Sequence, residues 1–110
     1  MGSNKILGSF EQMVLLGVLK GGDAAFGLEV RRILEEDGRR SVSRGAFYTT
    51  VDRLGDKGYL TWHNERGDAE RQRMPRRRFE VTAEGLEALR DARGVMDRLS
   101  AGLEDVLQPA

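Results

Sequence analysis

The stretch that decides the fold runs from Ser41 to Val81 and reads SVSRGAFYTTVDRLGDKGYLTWHNERGDAERQRMPRRRFEV. Ser43 is of a type favoured as a helix N-cap, where its side-chain oxygen can accept from a free backbone amide. Phe47, Val51 and Leu54 follow at spacings of four and three residues. This spacing places them on one face of a helix. The stretch therefore begins with a short helix that has one apolar face and one polar face.

Two β-like runs follow this helix, which we expect to end at Lys57-Gly58. Residues 59–65 alternate between apolar and polar side chains, and residues 77–81 do the same. In a hairpin the inward residues would share one face. They are Leu60, Trp62, Phe79 and Val81. The loop at residues 66–76 is polar and arginine-rich. A helix followed by a basic hairpin is typical of a winged helix-turn-helix, which sets the helix in a major groove of DNA and the hairpin over the backbone.

The formal net charge of the 110-residue chain is zero, but the charge is unevenly distributed. Residues 39–78 hold eleven Lys or Arg against five Asp or Glu, whereas residues 1–38 and 79–110 are both net acidic. A locally basic region is the charge pattern to which DNA phosphates respond. A solvated, salt-bridged surface is the alternative interpretation of a charge run alone, and the position of these arginines on a hairpin favours DNA.

Two helices are expected before the helix that Ser43 caps. A capping box of Ser9 with Gln12 opens the first, which is apolar on most sides and ends at Gly21-Gly22. The second runs from Ala24 or Ala25 to Asp37, and Gly27 within it suggests close packing against the first helix. The expected fold class is mainly α (α+β): three N-terminal helices, a two-stranded β wing and a long C-terminal helix.

The polar face of the third helix and the arginines of the hairpin supply the candidate DNA-binding residues. Hydroxyl, tyrosine and arginine side chains suit groove reading, and flexible arginines suit phosphates or a minor groove. Asp52 and Asp56 are excluded because carboxylates are repelled by phosphates. The candidates are Ser43, Arg44, Tyr48, Thr49, Arg53, Arg71, Arg73, Arg76, Arg77 and Arg78.

Other kinds of site have little support. The chain has no cysteine and one histidine, His63, so neither a thiolate metal site nor a catalytic set can be assembled, and no cofactor is expected. Trp62, the single tryptophan, is interpreted as a core residue rather than a platform for a planar ligand. No apolar run is long enough to span a membrane, and no export signal is recognised, which is consistent with a cytoplasmic protein that is not an enzyme.

The C-terminal segment carries a heptad-like apolar stripe. Thr82 is the expected N-cap of one long helix, and the stripe offers more apolar surface than a small three-helix core needs. We expect homodimerisation through this helix, which would match a palindromic operator. Packing of the helix back onto the first helix is the alternative, and both can be partly true. The stripe comprises Leu89, Ala92, Met96, Leu99, Leu103 and Val106.

From about Leu7 to Leu107 the chain resembles the PadR-like winged-helix transcriptional regulators, in their short form with a single C-terminal helix. Ordered and spaced motifs carry the resemblance: Phe10-Glu11-Gln12, Phe26-Gly27-Leu28-Glu29-Val30, Ser43-Arg44-Gly45-Ala46-Phe47-Tyr48, Asp52-Arg53-Leu54, Lys57-Gly58-Tyr59-Leu60, Arg76-Arg77-Arg78-Phe79 and Val81-Thr82-Ala83-Glu84-Gly85. Two departures are Phe26 and Leu28, where many members have histidine and tyrosine, and Arg73-Met74-Pro75 in place of a frequent Gly-Gly.

The resemblance implies a homodimeric regulator of transcription that binds double-stranded DNA, usually a repressor, with a small-molecule effector in some members. It implies a DNA-binding domain at residues 7–82 and a dimerisation helix at residues 83–107. A winged-helix module that binds protein rather than specific DNA is the alternative, and a small-molecule sensor is compatible with the first interpretation.

Overall fold

The computed structural model describes residues 6–65 and 76–109. Helices and strands follow in the order expected of a winged helix-turn-helix, so the predicted fold class is confirmed. The elements are α1 Ser9–Gly21, α2 Gly27–Glu36, α3 Arg44–Asp56, β1 Leu60–Glu65, β2 Arg76–Val81, α4 Ala83–Ser100 and α5 Glu104–Leu107, with a 3-10 turn at Gly22–Ala24 between α1 and α2.

The core lies where α1, α2 and α3 meet the sheet. Phe47, Val51 and Leu54 have no exposed surface, which confirms the predicted inner stripe of α3. The remaining buried apolar side chains come from every layer around it. They are Leu7, Val14, Leu15, Val18, Ala25, Val30, Leu34, Leu60, Phe79, Leu89 and Ala92.

The two strands form the predicted antiparallel hairpin, and the four residues expected on its inner face share one face. Leu60 pairs with Val81 and Trp62 pairs with Phe79, so their side chains share the face that packs on α3. The segment before α2 adds a further bridge, because the Phe79 N–H donates to the Ala25 carbonyl at 2.8 Å. The wing is therefore attached both to α3 and to the start of α2.

Three local predictions about the first two helices are wrong. Gly8, rather than Ser9, is the N-cap of α1, because the Glu11 carboxylate accepts the Gly8 N–H at 3.0 Å. The second helix begins at Gly27 rather than at Ala24 or Ala25, since those residues belong to the 3-10 turn and to the bridge with β2. Gly27 makes its close approach to the Tyr48 hydroxyl of α3, not to α1.

The predicted long C-terminal helix is interrupted. α4 ends at Ser100, and Ala101 and Gly102 then form a turn in which Gly102 adopts the left-handed conformation with φ of 85°, before the short α5. Glycine tolerates this conformation because it has no Cβ. Leu103 and Val106 therefore do not continue the helical stripe of α4.

An ion pair between α1 and the end of α3 helps to fix the orientation of α3. Lys57, the C-cap of α3, donates to the Glu11 carboxylate at 2.8 Å, and the Glu11 side chain is 11% exposed. Burial raises the pKa of Glu11, but hydrogen bonds from Lys57 and Gly8 and the charges of Lys57 and Arg53 outweigh it, so the pKa lies below its ordinary value. The charged form of Glu11 is the form that stabilises the fold.

The N-terminus of α4 is held tightly against the turn after α3. Thr82 donates to the Gly58 carbonyl at 2.6 Å and accepts the Gly85 N–H at 3.0 Å, which confirms Thr82 as the N-cap. A Cβ at Gly85 would overlap the Tyr59 carbonyl oxygen and lie 2.9 Å from Val81. Gly85 is therefore required by the close approach of two backbones.

Replacement of Gly85 by alanine should lower the free energy of unfolding by about 1–3 kcal/mol, because backbone atoms must move to admit the methyl group. Urea denaturation measures the change. Gly45→Ala is the matched control: Gly45 lies in α3, and a Cβ there would meet nothing within 4 Å. That variant should gain up to about 1 kcal/mol through helix propensity. Equal effects of the two substitutions would contradict the inference that the close approach of two backbones requires glycine at position 85.

Replacement of Glu11 by glutamine should lower the free energy of unfolding by about 1–3 kcal/mol at neutral pH. A carboxyl whose pKa is lowered on folding contributes stability above its unfolded-state pKa and loses it as pH falls through the folded-state pKa. The difference between wild type and variant should therefore shrink on going from about pH 7 to about pH 3.

Asp37→Asn provides the control for this measurement, because the Asp37–Lys20 pair is separated by 3.2 Å with both side chains 60% exposed. Its effect should not exceed about 0.5 kcal/mol. If the difference in free energy of unfolding between wild type and Glu11→Gln stays the same at acidic pH, packing rather than charge accounts for it.

Candidate nucleic-acid interface

The outer face of α3 is polar and exposed. Ser43 caps the helix by accepting the Ala46 N–H at 3.1 Å, and Arg44, Thr49 and Arg53 are all exposed. The predicted division of α3 into a buried stripe and an accessible face is therefore confirmed. Short hydroxyls and arginines on such a face can donate to base edges and phosphates.

Tyr48 lies at the border between this face and the core. Its ring packs edge-on against Phe47 with ring centroids 5.1 Å apart, and it is half-buried. The Arg44 guanidinium lies 5.5 Å from the ring centroid and that of Arg77 lies 5.4 Å from it. Tyr48 thus brings a cation from the start of α3 together with a cation from the root of the wing.

Arg77 has three partners on this side of the sheet. Its Nη1 donates to Asp52 of α3 at 3.4 Å, and its guanidinium lies 4.9 Å from the ring centroid of Trp62 as well as against Tyr48. Trp62 itself packs against Phe79, as predicted for a core residue, with ring centroids 5.8 Å apart.

The other strand arginines belong to the opposite face of the hairpin. Arg76 is exposed, and its guanidinium lies 4.0 Å from the ring centroid of Phe26. Arg78 donates to Glu65 at 2.5 Å and lies 3.9 Å from Glu80. The hydrogen bond and charge of Glu65 raise the pKa of Arg78 above its ordinary value. Arg78 therefore fastens the two strands together.

The structure brings Arg44, Tyr48 and Arg77 together and puts Arg76 and Arg78 across the sheet from them. Arg71 and Arg73 lie outside the described residues. Sequence reasoning missed the role of Asp52, which it set aside as a carboxylate unsuited to phosphates. Nothing in the sequence indicated its contact with Arg77, because the two residues lie 25 positions apart and meet only through the packing of β2 on α3.

A second exposed surface lies at the C-terminal end. Within the predicted stripe, Leu89 and Ala92 are buried in the chain's own core, whereas Met96 is 61% and Leu99 is 70% exposed. Leu103 and Val106 are also exposed, beyond the break at Gly102. The first part of the stripe therefore packs intramolecularly, and the remainder is apolar surface.

Over residues 6–65 and 76–109, no group of His, Asp and Glu side chains is arranged to hold a metal ion. His63 is exposed and lies 3.6 Å from Glu80. Among the helices of the described chain, none has the length and apolar character needed to cross a membrane.

Solved structures with this fold include several regulators. A PadR-like transcription factor from Bacteroides fragilis is 20% identical, with a TM-score of 0.72 and 88% of each chain covered. A PadR-like transcriptional regulator from Bacillus cereus is 20% identical, with a TM-score of 0.70 over 92% of this chain and 93% of that one. The regulator PcaV from Streptomyces coelicolor, solved with its natural ligand, is 22% identical, with a TM-score of 0.66 over 94% of this chain and 65% of that one.

No curated protein sequence gives a significant match. The family comparison is decisive, because the sequence matches the Transcriptional regulator PadR-like family over residues 15–91, from α1 to the middle of α4. That span contains the recognition helix, the hairpin and the cap of α4. The chain therefore belongs to the PadR-like family of transcriptional regulators.

Proposed function

We propose that this chain is a homodimeric, sequence-specific DNA-binding repressor. The observation that carries the proposal is the placement of the Arg44 and Arg77 guanidinium groups at 5.5 and 5.4 Å from the Tyr48 ring centroid, which unites cations of α3 and of the wing on one exposed surface. A surface of this kind can bind double-stranded DNA with the helix in a major groove and the hairpin beside the backbone. Like other members of its family, the chain is a regulator and not an enzyme.

In this proposal α3 supplies the groove contacts. Arg44, Thr49 and Arg53 are exposed toward solvent, and Ser43 lies at the helix N-terminus, where free amides attract a phosphate. Tyr48 supports them at the edge of the core. Arg76, together with Arg71 and Arg73 from the sequence, supplies backbone contacts, and Arg78 holds the hairpin in shape.

Dimerisation is supported by the apolar surface on α4. Met96 and Leu99 are large side chains left mostly exposed on a helix whose other large apolar residues, Leu86, Leu89 and Val95, are buried or partly buried. Such a surface is stabilised by pairing with an equivalent one from a second copy. A two-fold dimer presents two recognition helices to successive major grooves, so the operator should be palindromic.

Repression would follow from occupancy, because a dimer that covers adjacent grooves blocks other proteins from the same promoter. We also propose response to a small-molecule effector through a change in the spacing of the two recognition helices, with support from the PcaV structure, which holds its natural ligand. Such a regulator would work in the cytoplasm, the compartment that holds the DNA in cells without a nucleus.

Fluorescence anisotropy with a duplex covering the promoter region of the protein's own gene tests DNA binding. Wild-type protein should saturate this duplex at moderate salt, where an unrelated duplex of equal length binds more weakly. The variant Arg71→Ala, Arg73→Ala, Arg76→Ala should weaken binding to both duplexes. It should also lower the slope of log affinity against log salt by about 0.9 for each phosphate that the variant no longer neutralises.

A matched variant with Arg90, Arg93 and Arg98 changed to alanine removes the same charge from α4 and should leave that slope nearly unchanged. Equal slopes for wild type and wing variant would contradict the phosphate contacts. Equal, weak binding of both duplexes by the wild type would instead favour the alternative module that binds protein.

Replacement of Leu99 by aspartate should raise the dissociation constant of the dimer by about a hundredfold or more, because a buried, unpaired carboxylate costs several kcal/mol. Sedimentation equilibrium measures the change. Leu28→Asp is the control, since Leu28 is 60% exposed on α2, away from the proposed interface. If the Leu99→Asp protein sediments like the wild type, α4 is not part of the dimer interface.

A further inference from the structure

We propose that Arg77 reads a guanine in the major groove and that Asp52 is the positioning residue that aims it. This inference rests on the proposed DNA-binding function and makes it more specific. It assigns a base contact to a strand residue at the root of the wing, and it assigns a role in DNA discrimination to a carboxylate on the recognition helix.

The geometry restricts Arg77 to a small range of positions. Its guanidinium lies 4.9 Å from the Trp62 ring centroid and 5.4 Å from that of Tyr48, and its Nη1 donates to Asp52 at 3.4 Å. The side chain is nevertheless 37% exposed. An arginine that contacts three neighbours and keeps an accessible surface has fewer free rotamers to lose, so binding through it costs less entropy.

The charges argue against a simple phosphate contact. Asp52 is 63% exposed on the groove side of α3, so it would approach the DNA together with Arg77. The pair has no net charge, and a neutral pair gains little from counterion release at phosphates. A carboxylate so close to a phosphate would also repel it. The pair is therefore poorly suited to the contact that the sequence alone suggests for Arg77.

A guanine edge suits the same pair well. The guanidinium carries five N–H donors in a planar fork, and hydrogen bonding of Nη1 to Asp52 fixes the plane of that fork. The O6 and N7 acceptors of guanine match two donors of an arginine, which is the commonest specific contact in a major groove. The fixed fork adds discrimination, because at adenine one of its two donors would face the N6 amino donor instead of the O6 acceptor of guanine.

Arg76 gives the contrast within the same strand. It stacks on Phe26 across the sheet and is exposed, and in the described chain no carboxylate is paired with it. Among residues 6–65 and 76–109 its charge is not offset as that of Arg77 is by Asp52, which suits a phosphate contact. Because side chains alternate along a strand, Arg76 and Arg77 lie on opposite faces of the hairpin, and we assign the first to phosphates and the second to a base.

The test uses the full chain and two duplexes, the promoter region of its own gene and an unrelated sequence of equal length and composition. Asp52→Asn should strengthen binding to the unrelated duplex, since a negative charge is removed, yet reduce the affinity ratio between the two duplexes by about tenfold. Arg77→Ala should reduce this ratio similarly with little change in salt slope. In the Arg77→Ala background, Asp52→Asn should reduce the ratio no further.

Asp56→Asn is the matched control, because Asp56 is an exposed carboxylate at the end of the same helix. It should strengthen binding to both duplexes equally. Replacement of promoter guanines by 7-deazaguanine removes the N7 acceptor, and it should weaken binding of wild type more than it weakens binding of Arg77→Ala. Thermal unfolding of each variant checks that the fold is retained.

If wild type discriminates between the duplexes and Asp52→Asn discriminates equally well, the inference is wrong and the proposed function stands. If 7-deazaguanine weakens binding of Arg77→Ala as much as it weakens binding of wild type, the inference is also wrong and the proposed function stands. If wild type itself shows no discrimination, the inference and the proposed function both fail.

Discussion

Phe79 joins three parts of the chain that are distant in sequence, and the arrangement of the proposed interface depends on that junction. Its side chain is 1% exposed and packs against Phe47 of α3 and Trp62 of β1, with ring centroids 5.9 and 5.8 Å away. Its N–H donates to Ala25 before α2. With Phe79 fixed inward, the alternation of a strand places Arg77 against α3 and Arg76 and Arg78 on the far side. The position of Phe79 therefore decides which face of the hairpin each of these arginines occupies.

Some cations of this region stabilise the fold through ion pairs, and others are exposed where a ligand can reach them. Lys57 is engaged by Glu11, and Arg78 is engaged by Glu65, so both act within the protein. Arg44 and Arg53 of α3 remain exposed. A chain of zero net charge can thus present a cationic surface, because its acidic residues are concentrated elsewhere or paired locally.

α4 has two parts with different surroundings. Leu89 and Ala92 complete the core of the same chain, and Met96 and Leu99 lie further along, where the helix extends beyond that core. The left-handed Gly102 then ends the regular stripe. The apolar surface available to a second copy is therefore shorter than the heptad spacing of the sequence suggests.

The sequence by itself determined the order of elements, the inner stripe of α3, the inward face of the hairpin and the caps at Ser43 and Thr82, because these depend on local periodicity and hydrogen bonding. Only the tertiary structure decided that Glu11 binds Lys57, that Gly27 packs on Tyr48, and that Asp52 meets Arg77. Each of these contacts joins residues whose approach depends on how whole elements pack, which no local pattern encodes. The stripe of the last helix was visible in the sequence, but its division into buried and exposed parts depends on where the core ends.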